Sequence, residues 1–234
     1  MSSLLQIDGV SKDYRSLRPL RIQHLSIAPG ELVAVLGFDR AAAEVLVNLI
    51  TGAGLPDAGC IRVFGRATSA IADADDWLAT VDRFGIVSER AVLLEDLTVI
   101  QTLAMPYSLE IEPPPDDVRA SAAALAAEVG LPESACGQRL SNLDTGGRLR
   151  VRVGRALALS PPVLLLEHAS AGLSAEDAAA AGQWIRAVAA RRGAAALAAT
   201  ADEGFARAVA DRVLVLEPAS GRLRERGLRG WFRG

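Results

Sequence analysis

Gly37 opens the one stretch of this chain whose residue types and spacing could handle phosphate. Residues 32–36 are an apolar run, a short polar turn follows, and an amphipathic segment ends at Thr51-Gly52. That is strand, turn and helix in the order a phosphate-binding loop needs. A working loop, G-x-x-x-x-G-K-S/T, uses glycine to bring backbone N–H groups to the phosphates. Its lysine meets the β/γ-phosphate charge and its hydroxyl meets Mg²⁺. Laid on Gly37, the pattern runs through Phe38, Asp39, Arg40 and Ala41. It then finds Ala42 for the second glycine, Ala43 for the lysine, Glu44 for the hydroxyl and Val45 beyond. Three of the four specified positions differ, and one glycine alone is no more than an ordinary α/β turn.

The bulk composition narrows what these residues can serve. At 234 residues and 50% hydrophobic, the chain can bury a sizeable core as one domain with a sub-domain insert. A net charge of -3 and pI near 5.5 argue against nucleic-acid binding. Cys60 and Cys136 lie far apart without metal-ligand spacing, so no disulfide framework or zinc site is suggested. No run reaches about 18 apolar residues and the N-terminus lacks a signal-peptide pattern, so the expectation is a soluble chain in a reducing compartment. Lys12 is the only lysine, so no other can be slid into the phosphate-loop register.

Around this stretch the sequence predicts antiparallel strands at 4–10, 21–27 and 60–64. Buried strands are expected at 32–36, 83–87, 163–166, 195–200 and 212–216, with Leu36 and Leu165 on neighbouring strands. Residues 73–77 read as an acidic loop. Residues 91–107 are apolar at helical spacing, with Asp96 or Thr98 as cap, and residues 113–115 open a helix that Gly130 ends. Ser174 caps a helix stopped by Gly193. The basic residues 224–234 read as an unstructured end that could touch anionic lipid.

Several spacings converge in residues 143–174. Arg150, Arg155-Ala156-Leu157, Pro161, the run 163–166, Ser170 and Leu173 fall in register with the signature and Walker B region of ATP-binding cassette transporters. The chain resembles the nucleotide-binding subunit of that family over essentially its whole length. Its leucine-rich segment 93–106 is similar in style to subunits serving lipid and lipoprotein exporters. The resemblance implies a RecA-like P-loop NTPase α/β fold with an N-terminal antiparallel layer. It implies a core formed by 1–91 and 151–234, and a helical sub-domain at 92–150.

The resemblance also shows which chemistry is replaced. The Walker B aspartate, which holds Mg²⁺ through water, corresponds to Glu167, and the general base to His168. The glutamine that senses the γ-phosphate corresponds to Glu89, and the switch histidine to Ala201. The signature Leu143, Asp144, Thr145, Gly146 and Gly147 has an aspartate and a threonine where serine and the first glycine would meet phosphate. Tyr14 retains the base-stacking position; a half-buried tyrosine in a strand connection is the other reading of it. Losing the lysine costs about 1.5–3 kcal/mol. A carboxylate at about 4 Å from phosphate repels by up to about 4 kcal/mol at an effective dielectric near 20. A micromolar ligand, worth about 8 kcal/mol, would become millimolar or weaker.

The expected function is therefore a cassette subunit that has lost ATP hydrolysis and acts as a structural or regulatory partner. No cofactor is expected, with ATP or ADP weak at most and no Mg²⁺ expected to bind; no metal residue is assigned. Its partners would be a membrane permease, met by Glu89, Leu93, Leu94, Leu97 and Met105, and either a second copy or an intact paralogue. It would lie in the cytoplasm, peripheral to the inner membrane. Two alternatives stand beside this. One is a weakly active ATPase with His168 as base, Arg40 replacing the lysine and Glu44 ligating the ion; the other is a soluble binding protein without a transporter. Glu44, paired with Arg40, is expected to occupy the anion seat at the helix start.

Overall fold

Alternation and apolar runs set the first elements. The structure, a computed structural model, describes residues 3–226. Strands β1 (Leu5–Lys12) and β2 (Leu20–Ile27) alternate inward and outward side chains and pair antiparallel. Strand β3 (Leu32–Leu36) is buried throughout and passes through residues 37–39 into helix α1 (Arg40–Ile50). Strands β4 (Ala58–Val63) and β5 (Arg66–Ala67) return to β1, giving a four-stranded antiparallel sheet in the order β2-β1-β4-β5. Helix α2 (Ala74–Val81) precedes β6 (Phe84–Ser88).

A helical stretch then interrupts the sheet. Helix α3 (Val99–Ala104) starts at Thr98 with a reciprocal Thr98–Gln101 capping box. Helix α4 (Asp116–Glu128) follows the prolines, and α5 (Thr145–Leu157) leads back into β7 (Val163–Glu167). Helix α6 (Ala175–Arg192) runs from its Ser174 cap to Gly193, whose φ of 64° supplies the left-handed stop. Strand β8 (Ala195–Thr200), helix α7 (Glu203–Val209), β9 (Arg212–Glu217) and β10 (Arg222–Glu225) complete the described chain. The second sheet runs β10-β9-β3-β8-β7-β6, parallel from β9 to β6 with β10 antiparallel at the edge.

Each central strand feeds two cores. Ala34, Leu164, Leu166, Ala196 and Ala198 pack with the helices on one face. Val33, Val35, Val163, Leu165 and Leu197 pack on the other with α1 and the antiparallel sheet. Helix α1 is thus held between two sheets, with Leu46, Leu49 and Ile50 at most 1% exposed. At about 1.5–3 kcal/mol per large buried side chain, this packing is a strong reason for the sheet to form.

Four expectations need correction. Leu36 and Leu165 are not on neighbouring strands: β8 lies between, with Leu36 opposite Thr200 and Leu165 opposite Leu197. The alanine-rich β8 is apolar on both faces and fits the centre, a spatial order that chain order does not encode. Residues 73–77 are not a loop, because the Asp73 side chain accepts from the Asp76 N–H and starts α2. The helix read over 91–107 begins only at Val99, and Asp96 is not its cap. Arg224 and Glu225 belong to β10, while residues 227–234 lie outside the described residues.

Candidate functional site

The site gathers where the parallel strands end. Gly37 follows β3 with φ 98°, a left-handed value that favours glycine, and a side chain there would also crowd the Leu216 carbonyl at 3.2 Å. The Asp39 side chain accepts from the Ala42 N–H at 2.7 Å, and the Asp39 carbonyl accepts from the Ala43 N–H at 3.0 Å. Residues 40–44 are therefore the start of α1. Phe38, Ala42 and Ala43 are buried in the core between the sheets.

Ion pairs tie this start to the neighbouring strand ends. Arg40 donates to Glu89 at 2.5 Å, just beyond β6. Arg90 donates from Nε and Nη2 to the two oxygens of Glu167 at 2.7 and 2.6 Å, while its Nη1 meets Glu44 at 2.9 Å. Glu167 closes β7 with its side chain 6% exposed, so the paired fork supplies the compensation a buried carboxylate requires. The same contact holds the Arg90 pKa above its ordinary range, with Glu167 as the main cause. Arg90 is the residue that sequence reasoning missed. Its signal was position, one residue after the sensor.

The expected Arg40–Glu44 pairing and the anion-seat role of Glu44 are corrected. Asp39 fills that seat, and Glu44 lies a turn further into α1, where Arg90 reaches it. The turn does not curl, because Asp39 caps the helix early and leaves Arg40 free to pair across to Glu89. In the signature, Leu143 packs against the core and the Asp144 side chain accepts from the Gly147 N–H at 2.6 Å, so Thr145, Gly146 and Gly147 form the first turn of α5. His168 has φ 44°, and its Nε2 is buried without a hydrogen-bond partner. Ala201 is exposed after β8, and Tyr14 packs half-buried against the core between the sheets. Among the described residues no group of three or more His, Cys, Asp or Glu side chains could hold a metal.

The segment expected to meet a permease divides. Met105 lines a cleft of about 380 Å³ with Pro106, Phe84, Ile86, Arg152 and Arg155, whereas Leu93, Leu94, Leu97 and Glu89 do not line it. Leu93 packs against the core, Leu97 is half-buried and Leu94 is exposed. Glu89 instead faces a small pocket with Thr145 and Arg152. Burial pushes the Arg152 guanidinium below its ordinary pKa, and Glu89 partly offsets this.

The family model for ABC transporters matches residues 20–171, well over half of the chain. The chain belongs to the ABC transporter family. A sulfate/thiosulfate import ATP-binding protein of Chromobacterium violaceum is 32% identical over 231 residues, covering 97% of this chain and 59% of its own length. A methionine import ATP-binding protein of Brucella abortus is 31% identical over 193 residues, 82% of this chain and 52% of its own. The chain thus spans a little over half the length of these curated relatives. Both are named for import, not for lipid or lipoprotein export.

Solved structures carry the same fold. One is cbiO1 from Clostridium perfringens, part of an ABC transporter complex, with a TM-score of 0.79 and 20% identity over 96% of this chain and 88% of that one. Another is the ATP-binding cassette MJ0796, a dimer bound to ADP and Pi, with a TM-score of 0.75 and 21% identity over 97% of this chain and all of that one. The fold is the RecA-like P-loop NTPase fold of ABC ATPase domains, with its antiparallel layer. Among the described residues no helix is long and apolar enough to cross a membrane.

Proposed function

We propose that this ABC family chain is a nucleotide-binding-type subunit that has lost ATP hydrolysis and serves a membrane transport complex as a structural or regulatory component. One observation carries the reading: the stretch that should cradle phosphate is helix. The Ala42 and Ala43 N–H groups are already satisfied by Asp39, and the lysine position is a buried methyl. Phosphate would have to displace a carboxylate from the helix start without a lysine to offset the exchange. Asp144 repeats the arrangement at the start of α5, the second helix whose N-terminus faces phosphate in the family.

The rest of the assembly follows from family membership. The chain would form one nucleotide-binding-type unit with a helical sub-domain near residues 92–150, on the cytoplasmic side of the inner membrane. It would pair with a second copy or an intact paralogue and meet a permease through the Met105 cleft and the exposed Leu94. The leucine-rich segment keeps lipid as one candidate cargo, against the sulfate, thiosulfate and methionine named for the relatives. Tyr14, packed half-buried against the core, fits the reading of a tyrosine in a strand connection better than a base-stacking role. Calorimetric titration with ATP, with and without Mg²⁺, tests the reading: no heat of binding at micromolar protein is expected. Micromolar ATP affinity together with turnover lost in His168→Ala would overturn it in favour of a weakly active ATPase.

A further inference from the structure

The family implies Mg²⁺ beside the phosphate-loop hydroxyl and the Walker B carboxylate, and the residues present do not fit that ion. Both oxygens of Glu167 are taken by the Arg90 fork, and the third guanidinium nitrogen takes Glu44. Mg²⁺ keeps several waters in a near-octahedral shell. The enclosed Glu167 side chain, already bonded to a planar cation, has no place for one. A guanidinium suits this seat because its donors lie in one plane with fixed spacing and its charge cannot be removed by proton loss.

We propose that Arg90 stands in this chain where a divalent cation stands in its family, as a covalently attached cation joining α1 to the end of β7. The proposal rests on the reading of a nucleotide site without hydrolysis. It deepens that reading by assigning the cation seat, as Asp39 occupies the anion seat. The Arg40–Glu89 pair adds a second tie next to it, and the Arg90 N–H donates to Ser88 Oγ at 3.1 Å. The ends of β6 and β7 and the start of α1 are thereby connected with no ligand. Residues 89–90 run directly into the exposed Val92 and Leu94, so the surface segment is anchored to the same ties.

The test is a titration of the full chain with MnCl₂, read by melting temperature and by the electron paramagnetic resonance signal of bound Mn²⁺. The wild type should show neither a shift nor a bound signal. Arg90→Ala should melt roughly 5–10 °C lower and recover in part as Mn²⁺ binds the freed carboxylates. Adding Glu167→Gln should remove the recovery. Arg90→Lys, which keeps the charge without the fork, should fold, melt between the two and bind no Mn²⁺, and it serves if Arg90→Ala does not fold. Mn²⁺ bound by the wild type, an Arg90→Ala that melts like wild type, or one that gains no Mn²⁺ response would each overturn the proposal. ATP turnover by a wild type that ignores Mn²⁺ would instead overturn the reading of lost hydrolysis and leave Arg90 in its seat.

Discussion

Within β7 and the two residues around its end, the chain passes from one regime to another. Val163, Leu164, Leu165 and Leu166 are at most 1% exposed and keep the family spacing, whereas Glu167 and His168, next in line, differ in residue type from the aspartate and base that the resemblance implies there. The same break occurs between β3 and α1, where a fully buried strand gives way to Asp39, Arg40 and Ala43. Sheet interiors answer to packing, which any soluble protein of this fold must satisfy. Strand ends answer to a ligand. Under the proposed function, ion pairs between neighbouring elements take the place of that ligand without disturbing the strands.

The largest expected effect would break the contrast from the rim side. Restoring the family loop with Ala42→Gly, Ala43→Lys and Glu44→Ser places a lysine at a fully buried position, and it should cost about 3–5 kcal/mol in urea denaturation. If this variant is as stable as wild type, the loop can open into a cradle and the helical start is not fixed. Next, Leu165→Ala in the interior should cost about 2–5 kcal/mol while leaving nucleotide behaviour unchanged. A smaller loss tells the two carboxylates on α1 apart. Asp39→Ala removes the cap and should cost about 0.5–2 kcal/mol, whereas Glu44→Ala should stay within about 0.5 kcal/mol, both read from melting curves.

A further effect, of about the size of a lost cap, concerns an ion pair away from the site. Arg192 holds Glu128 below its ordinary pKa, tying the end of α4 to the end of α6. A depressed carboxylate pKa contributes stability above the unfolded value and loses it as pH falls through the folded one. Glu128→Gln should therefore cost about 1 kcal/mol at neutral pH, and the difference from wild type should vanish under acid conditions in pH-dependent melting. A difference that persists at low pH would assign the effect to packing.

How far the sequence could be read depended on the kind of information each feature needs. The strands at 32–36 and 195–200 have the expected bounds, because continuous apolar runs between turns encode their own burial. The α6 boundaries were legible from Ser174 and Gly193 for the same local reason. Residues 73–77 were misread because Asp73 acts as a cap only once its side chain meets the Asp76 N–H. In the site, the replaced positions could all be named from spacing. Their partners could not, since Arg90 and Glu167 are separated by 77 residues and Arg40 and Glu89 by 49.

Taken alone, the amino-acid order determined the buried strands, the α6 boundaries, the family register and the absence of a phosphate lysine, since periodicity, capping and residue identity are local properties. Tertiary structure decided that β8 separates β3 from β7 and that Arg90 reaches both Glu44 and Glu167. Long side chains choose among charges by distance and desolvation, and both are fixed only when the strands have packed side by side.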